Sequence, residues 1–235
     1  MTGQGQEQEQ GADAMRALQG LEDGRSSVRL RAALVLGTAP EPRYVDTLVE
    51  RCAVEPEFFV RDMLTWALTR HPVSVTLPAL LSELRSERPQ ARSQALHTLS
   101  KIGDRRAWPA ITRALLSDAD DEVARSAWRT AVVLVPEGEE SGLATVLATQ
   151  LGRGARETQL SLSRALVALA SRGDSALEEA VLPALRAATK APDARVRTHA
   201  LATEQLLRDP DVGFEFAVGE AKRIVALGGS GQEGR

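Results

Sequence analysis

The stretch Val123-Ala124-Arg125-Ser126-Ala127-Trp128 decides how this chain is read, because it recurs. Related stretches stand at Val28-Arg29-Leu30-Arg31-Ala32-Ala33-Leu34, Val60-Arg61-Asp62-Met63-Leu64, Ala91-Arg92-Ser93-Gln94-Ala95-Leu96 and Val196-Arg197-Thr198-His199-Ala200-Leu201. Their first residues lie 32, 31, 32 and 73 residues apart, the last interval holding two slightly long repeats. A fixed period in the low thirties marks a stack of helical pairs, each unit burying its apolar face on its neighbours.

A second register supports the first. Leu77-Pro78-Ala79-Leu80, Trp108-Pro109-Ala110-Ile111 and Leu182-Pro183-Ala184-Leu185 place a proline 13 or 14 residues before the second-helix motif. Proline lacks an amide proton and crowds the preceding turn, so each should bend its first helix. Punctuation follows the same period. Asp23-Gly24, Pro40-Glu41-Pro42, Pro56, His71-Pro72, Gly103-Asp104, Pro136-Glu137-Gly138, Gly152-Arg153-Gly154, Gly173-Asp174 and Pro192-Asp193 all mark breaks. Six pairs follow, the first opening at about Asp13. The fourth pair has a first helix from Arg105 to Leu116. The sixth has one from Ala176 to Thr189. Phe59, Val60, Leu64, Ala67 and Leu68 give the second pair's second helix, with Val60, Leu64, Ala67 and Leu68 as its core residues. The fifth pair has no settled register: Leu160 and Ala165 both fit the position of Ala127. An amphipathic segment, Val212 to Leu227, is expected to cap the end of the stack.

The expected layout is a disordered polar tail over residues 1–12, one solenoid over 13–227 and a flexible tail over 228–235. Composition agrees with an all-α core. Hydrophobic residues make up 43% but aromatics only 3%, so Ala, Leu and Val must build it. The net charge of −3 disfavours a surface devoted to nucleic acid, although a local basic groove remains open. The 26 arginines against 3 lysines reflect either codon usage or a demand for planar, bidentate contacts. Cys52 is the single cysteine, which excludes an intramolecular disulfide. With no signal-like N-terminus and no long apolar run, a soluble cytoplasmic protein without a membrane partner is expected.

A proline-bearing first helix followed by a Val-Arg-x-x-Ala-Leu second helix resembles the HEAT-repeat family, in particular its short bacterial, phycobilisome-lyase-type form. The likeness spans about residues 13–210. It implies a right-handed superhelical solenoid of about six pairs plus a C-terminal capping helix, with second helices lining a concave, protein-binding face. Other members bind DNA or act as lyases, so the family alone does not decide function.

Helical geometry sorts the second-helix positions. Counting each motif's first residue as zero, positions zero, four, seven and eight share one face. Position one carries Arg29, Arg61, Arg92 and Arg197. These read either as a ladder tying repeats through turn carboxylates such as Asp23, Glu57 or Asp193, or as a basic stripe for an acidic partner. Positions two and six point away from the core. They carry Leu30 and Leu34, Asp62 and Trp66, Ser93 and His97, then Arg125 and Arg129. Leu30, Leu34, Asp62, Trp66, His97, Arg125 and Arg129 are therefore the candidate partner-binding residues, graded from apolar to basic, with Trp and Arg as hot-spot types. The plainer alternative is ordinary surface, with Trp66 packed on an adjacent helix. Trp108 and Trp128 align with leucines and read as packing residues.

Catalytic signals are sparse. His71, His97 and His199 form no metal-binding pair, and the His-Glu iron motifs of HEAT-type hydroxylases are absent. No phosphate loop, nucleophile elbow or dinucleotide fingerprint occurs, and Cys52 reads as an inert core thiol. No cofactor or metal is expected. The reading is a non-catalytic scaffold, adaptor or regulator that binds a protein or peptide. One enzymatic alternative remains. Asp62 and Trp66 share a helix face, and with Arg92, Arg125 and Arg129 they resemble the layout of HEAT-like alkylpurine DNA glycosylases, in which a carboxylate and an aromatic hold a flipped base.

Overall fold

The computed structural model describes residues 3–173, 176–209 and 211–229. Residues 1–2 and 230–235 of the two expected tails lie outside the described residues. All regular elements among the described residues are helical, and the fold class is the all-α solenoid of paired helices. The chain divides into two compact units, Met1–Ala110 and Ile111–Arg235.

The first unit pairs α1 (Gly3–Gly20) with α2 (Ser26–Thr38), α3 (Val45–Val54) with α4 (Phe58–Arg70), and α5 (Val73–Glu83) with α6 (Pro89–Ile102). A 3₁₀ helix over Arg105–Ala110 ends it. Helix α1 begins about ten residues before the expected start at Asp13, across the Gln- and Glu-rich stretch. Both residue types are good helix formers. The core face follows the repeat positions: Ala32 and Leu36, then Val60, Leu64, Ala67 and Leu68, then Ala91, Ala95 and Leu99 are buried. Phe59, outside this core set, is 73% exposed. It sits one residue before position zero, about 80° outside the buried arc at 100° per residue.

The position-one arginines have structural work, by a different route from the one expected. Each folds back onto the carbonyls five and six residues earlier, in the turn of its own pair. Arg29 Nη1 donates to the Asp23 and Gly24 carbonyls at 2.9 and 3.0 Å. Arg61 Nη1 donates to those of Glu55 and Pro56 at 2.9 and 2.6 Å. Arg92 reaches Ser86 and Glu87, and Arg197 reaches Ala191 and Pro192. A tight turn between helices leaves carbonyls without intrahelical donors, and a guanidinium with five N–H groups satisfies two of them at once. Arg29 also takes a carboxylate from the next pair. Its Nε and Nη2 donate to Glu55 Oε2 and Oε1 at 2.7 and 2.8 Å, with both side chains buried.

The second unit contains α7 (Arg113–Leu116), α8 (Asp121–Leu134), α9 (Glu140–Ala148), α10 (Arg156–Ala170), α11 (Leu182–Ala188), α12 (Ala194–Arg208) and α13 (Phe214–Gly229). The fourth pair's first helix is not continuous. The 3₁₀ turn containing Pro109 stops at Ala110, and Thr112 caps a new start by accepting the Leu115 amide at 3.4 Å. The sixth pair's first helix opens as a π-helical turn, Ala176–Val181, before Pro183 enters the first turn of α11. Pro78, in contrast, lies inside α5. Proline at one register position thus has three outcomes. It sits mid-helix in α5, in a 3₁₀ turn at Pro109, and directly after a π-helical turn at Pro183.

Ala124 occupies position one of the fourth pair. The carbonyl six residues before it, Asp118, is taken instead by the Arg153 guanidinium, which also reaches Asp121 Oδ1 at 3.0 Å. In the fifth pair Gln159 Nε2 donates to the Gly154 carbonyl, five residues earlier, at 3.3 Å. That hydrogen bond and the burial of Thr158, Leu162 and Leu166 settle the register: Thr158 is position zero and Leu162 matches Ala127. Neither Leu160 nor Ala165 holds that place.

His199 organises the interior of the second unit. Its Nδ1 accepts the Gly152 amide at 3.0 Å, so Nε2 carries the proton. Nε2 donates to the Gln159 carbonyl at 2.9 Å and lies 3.0 Å from Ser163 Oγ. Thr203 donates to the His199 carbonyl at 2.8 Å, which leaves Ser163 to donate to Thr203 at 2.7 Å. Burial pushes the imidazole down to about 4, against the opposing pull of the Gln159 carbonyl. Helix α13 closes this end as expected, packing Phe214, Ala217, Val218 and Ala221 on Ala202, Leu201 and Leu206.

Candidate functional site

In the second unit, the pairing of α8 and α10 leaves a groove of about 360 Å³. Arg125, Arg129 and Val133 line it from α8, and Leu160, Arg164 and Ala168 from α10. The amphipathic spacing explains the arrangement. Asp120 caps α8 by accepting the Glu122 and Val123 amides, which sets Val123, Ala127, Trp128 and Leu134 inward. Trp128 is fully buried and its Nε1 donates to the Leu116 carbonyl at 2.8 Å. Positions two and six then face away from that core and reach the groove.

Arg125 is held by two carboxylates. Nη1 donates to Glu122 at 2.7 Å and Nη2 to Glu157 at 2.8 Å, while Nε is buried with no partner among the described residues. Arg129 and Arg164 are exposed. The floor between them is apolar: Val132 and Ala165 are buried, and Val133 is part-exposed. Glu157 also lines the groove, so its rim combines guanidinium groups with a carboxylate above a hydrophobic bottom.

The structure thus brings Arg125 and Arg129 to one groove. Two further lining residues, Leu160 and Arg164, were missed. They are positions two and six of the fifth pair once Thr158 is position zero. The Gly152-Arg153-Gly154 turn followed by Thr158 hid this register, since threonine stands where the other pairs carry Val or Ala.

The remaining candidates lie in the first unit. On α2, Leu30 is half-buried and Leu34 exposed; on α4, Asp62 and Trp66 are exposed; on α6, His97 is half-buried. Trp66 retains 38% exposure because its ring lies across Gly37 of α2, where even a methyl group would meet the ring at 2.4 Å. The adjacent-helix packing and the open face are both true of this side chain. Phe58 and Phe59, at the start of α4, form an exposed edge-to-face pair with centroids 5.5 Å apart.

The other chemistry-bearing groups are structural. Cys52 is buried, and burial pushes its thiol up to about 12. His71 is buried with Nδ1 2.8 Å from the Ala67 carbonyl. Among the described residues no group of three or more His, Cys, Asp or Glu side chains is placed to hold a metal ion. No helix among them is long and apolar enough to cross a membrane.

Residues 60–132 match the family model described as HEAT repeats. No curated protein matches the chain. Similar solved structures include an engineered protein at 18% identity, covering 86% of this chain and 99% of that one with a TM-score of 0.47. A second engineered protein has 20% identity, 89% and 97% coverage and a TM-score of 0.46. A designed armadillo repeat protein has 16% identity, 82% and 98% coverage and a TM-score of 0.43. Over residues 60–132 the chain is thus similar to HEAT repeats, and the recurring Val-Arg-x-x-Ala-Leu helices with their turn-clamping arginines continue outside that span.

Proposed function

We propose that this repeat chain is a non-catalytic protein-binding scaffold, and that the α8–α10 groove seats a segment of its partner. The observation that carries this reading is the groove itself: Arg125, Arg129 and Arg164 stand around an apolar floor on adjacent second helices. Repeat arrays present rigid surfaces of this kind, and rigidity lowers the ordering cost of binding. Arginine at the rim and small aliphatic residues below supply orientation and burial respectively. In the first unit Leu34, Asp62 and Trp66 provide a second, smaller exposed set.

Affinity capture with quantitative mass spectrometry tests the proposal, comparing wild type, the pair Arg129→Ala with Arg164→Ala, and Trp66→Ala. The groove predicts that a protein held by wild type is lost from the double variant. An unchanged captured set across all three proteins would remove the groove and Trp66 from consideration together.

A further inference from the structure

We propose that the second unit carries an anion pocket, separate from the α8–α10 groove, that takes the phosphate group of a small organic phosphate. The pocket has a volume of about 420 Å³. Arg156 and Gln159 line it from α10, Arg195 and Thr198 from α12, and Val218 and Lys222 from α13. Each pair is three or four residues apart and so shares one helix face. Three helices thus turn a cation each toward one cavity, and no carboxylate lines it.

The packing of α13 does not require this arrangement. That contact is made by Phe214, Ala217, Val218 and Ala221, and neutral side chains at 195 and 222 would leave it intact. Arg156 is already paired with Glu215, so the charges left to be offset are those of Arg195 and Lys222, and holding these two beside Arg156 is unfavourable unless an anion joins them. Arg156 is held in place, its guanidinium over the Phe214 ring at 5.7 Å and its Nε 3.0 Å from Glu215. Arg195 and Lys222 make no side-chain ion pair among the described residues. Asp193 is turned instead to the α12 backbone, accepting the Arg195 amide at 2.7 Å. Arg195 lies in the first turn of a 15-residue helix, whose dipole adds to the positive potential.

The donors match a phosphate group. Two guanidinium groups offer forked N–H pairs, an ammonium offers a point charge, and Gln159 and Thr198 add neutral donors. A phosphate fills only part of the cavity. Ala194 and Val218 line the remainder and present an apolar wall to the organic portion.

Amide chemical-shift titration tests the site with inorganic phosphate and phenyl phosphate, against chloride at matched ionic strength. The pocket predicts saturable shifts at Ala194, Arg195, Thr198 and Lys222, with phenyl phosphate binding more tightly than inorganic phosphate. The pair Arg195→Ala with Lys222→Ala, both exposed and outside the core, should weaken binding by about tenfold or more. Glu215→Gln, which frees Arg156, should tighten it. Arg223→Ala, on the same helix but paired with Glu220, should change nothing. Shifts that do not saturate, shifts reproduced by chloride, or equal affinity in the double variant would overturn the pocket. Equal affinity for the two phosphates would overturn the organic ligand class.

Discussion

Single arginines carry more of this structure than their surface placement in the sequence suggests. Arg29 is the extreme case, since it satisfies two turn carbonyls and forms a bidentate pair with Glu55. Burial would push the Glu55 carboxyl up, but hydrogen bonds from Arg29, the Glu57 amide and Arg51 outweigh it and hold the group at about 2. Removing Arg29 leaves a buried carboxylate with Arg51 as its remaining cation. Arg29→Ala is therefore expected to cost about 3–5 kcal/mol, the range for breaking a buried pair. Arg61→Ala, which forfeits two charge-assisted bonds to carbonyls but strands no charge, should cost about 1–3 kcal/mol. Denaturant unfolding of the two variants checks the order. Equal losses would show that the carboxylate adds nothing beyond the turn clamp.

At the scale of elements, helix ends and turns set the repeat boundaries. Gly103 ends α6 with φ +70°, and a methyl group there would meet nothing within 4 Å. Gly154, before α10, has φ +67°, and a methyl group would lie 2.8 Å from Asp121 Oδ2 and Thr158 Cβ. Gly103→Ala should therefore cost about 1–2 kcal/mol from the left-handed backbone alone. Gly154→Ala should cost clearly more, which thermal unfolding measures. Most helices were legible in the sequence because Val, Leu and Ala at positions zero, four and eight recur with turn residues between them. The breaks at Pro109 and in the π turn before Pro183 were not legible. The same proline is mid-helix in α5, so local sequence does not distinguish the three outcomes. Half of the groove was legible, as Arg125 and Arg129. Leu160 and Arg164 were hidden because the fifth pair lacks the Val-Arg signature. Its position-one role falls to Gln159, and Arg153 serves the neighbouring turn. The hub role of His199 was likewise invisible, since its partners Gly152, Gln159 and Ser163 come from elsewhere in the chain.

Across the whole molecule, two buried titratable groups give the two units different responses to acid. His199 titrates at about 4 when folded against 6.5 in its ordinary state. Protonation thus favours the unfolded form. Its contribution to the second unit is intact above pH 6.5 and is lost as pH falls toward 4, by about 3 kcal/mol at most. Glu55 titrates at about 2 against 4.5, so its contribution to the first unit is intact above pH 4.5 and fades only below that. Hydrogen exchange, corrected for intrinsic rates, should show α12 amides losing protection between pH 6.5 and 4.5 while α2 amides keep theirs. Parallel loss in both helices would contradict the assignment. The central claim, that this repeat chain works by holding a partner in the α8–α10 groove, is tested most directly by hydrogen exchange with and without the captured partner. A partner seated there should slow exchange in α8 and α10 around Arg125, Arg129, Leu160 and Arg164. Protection confined to other helices, with α8 and α10 unchanged, would contradict it.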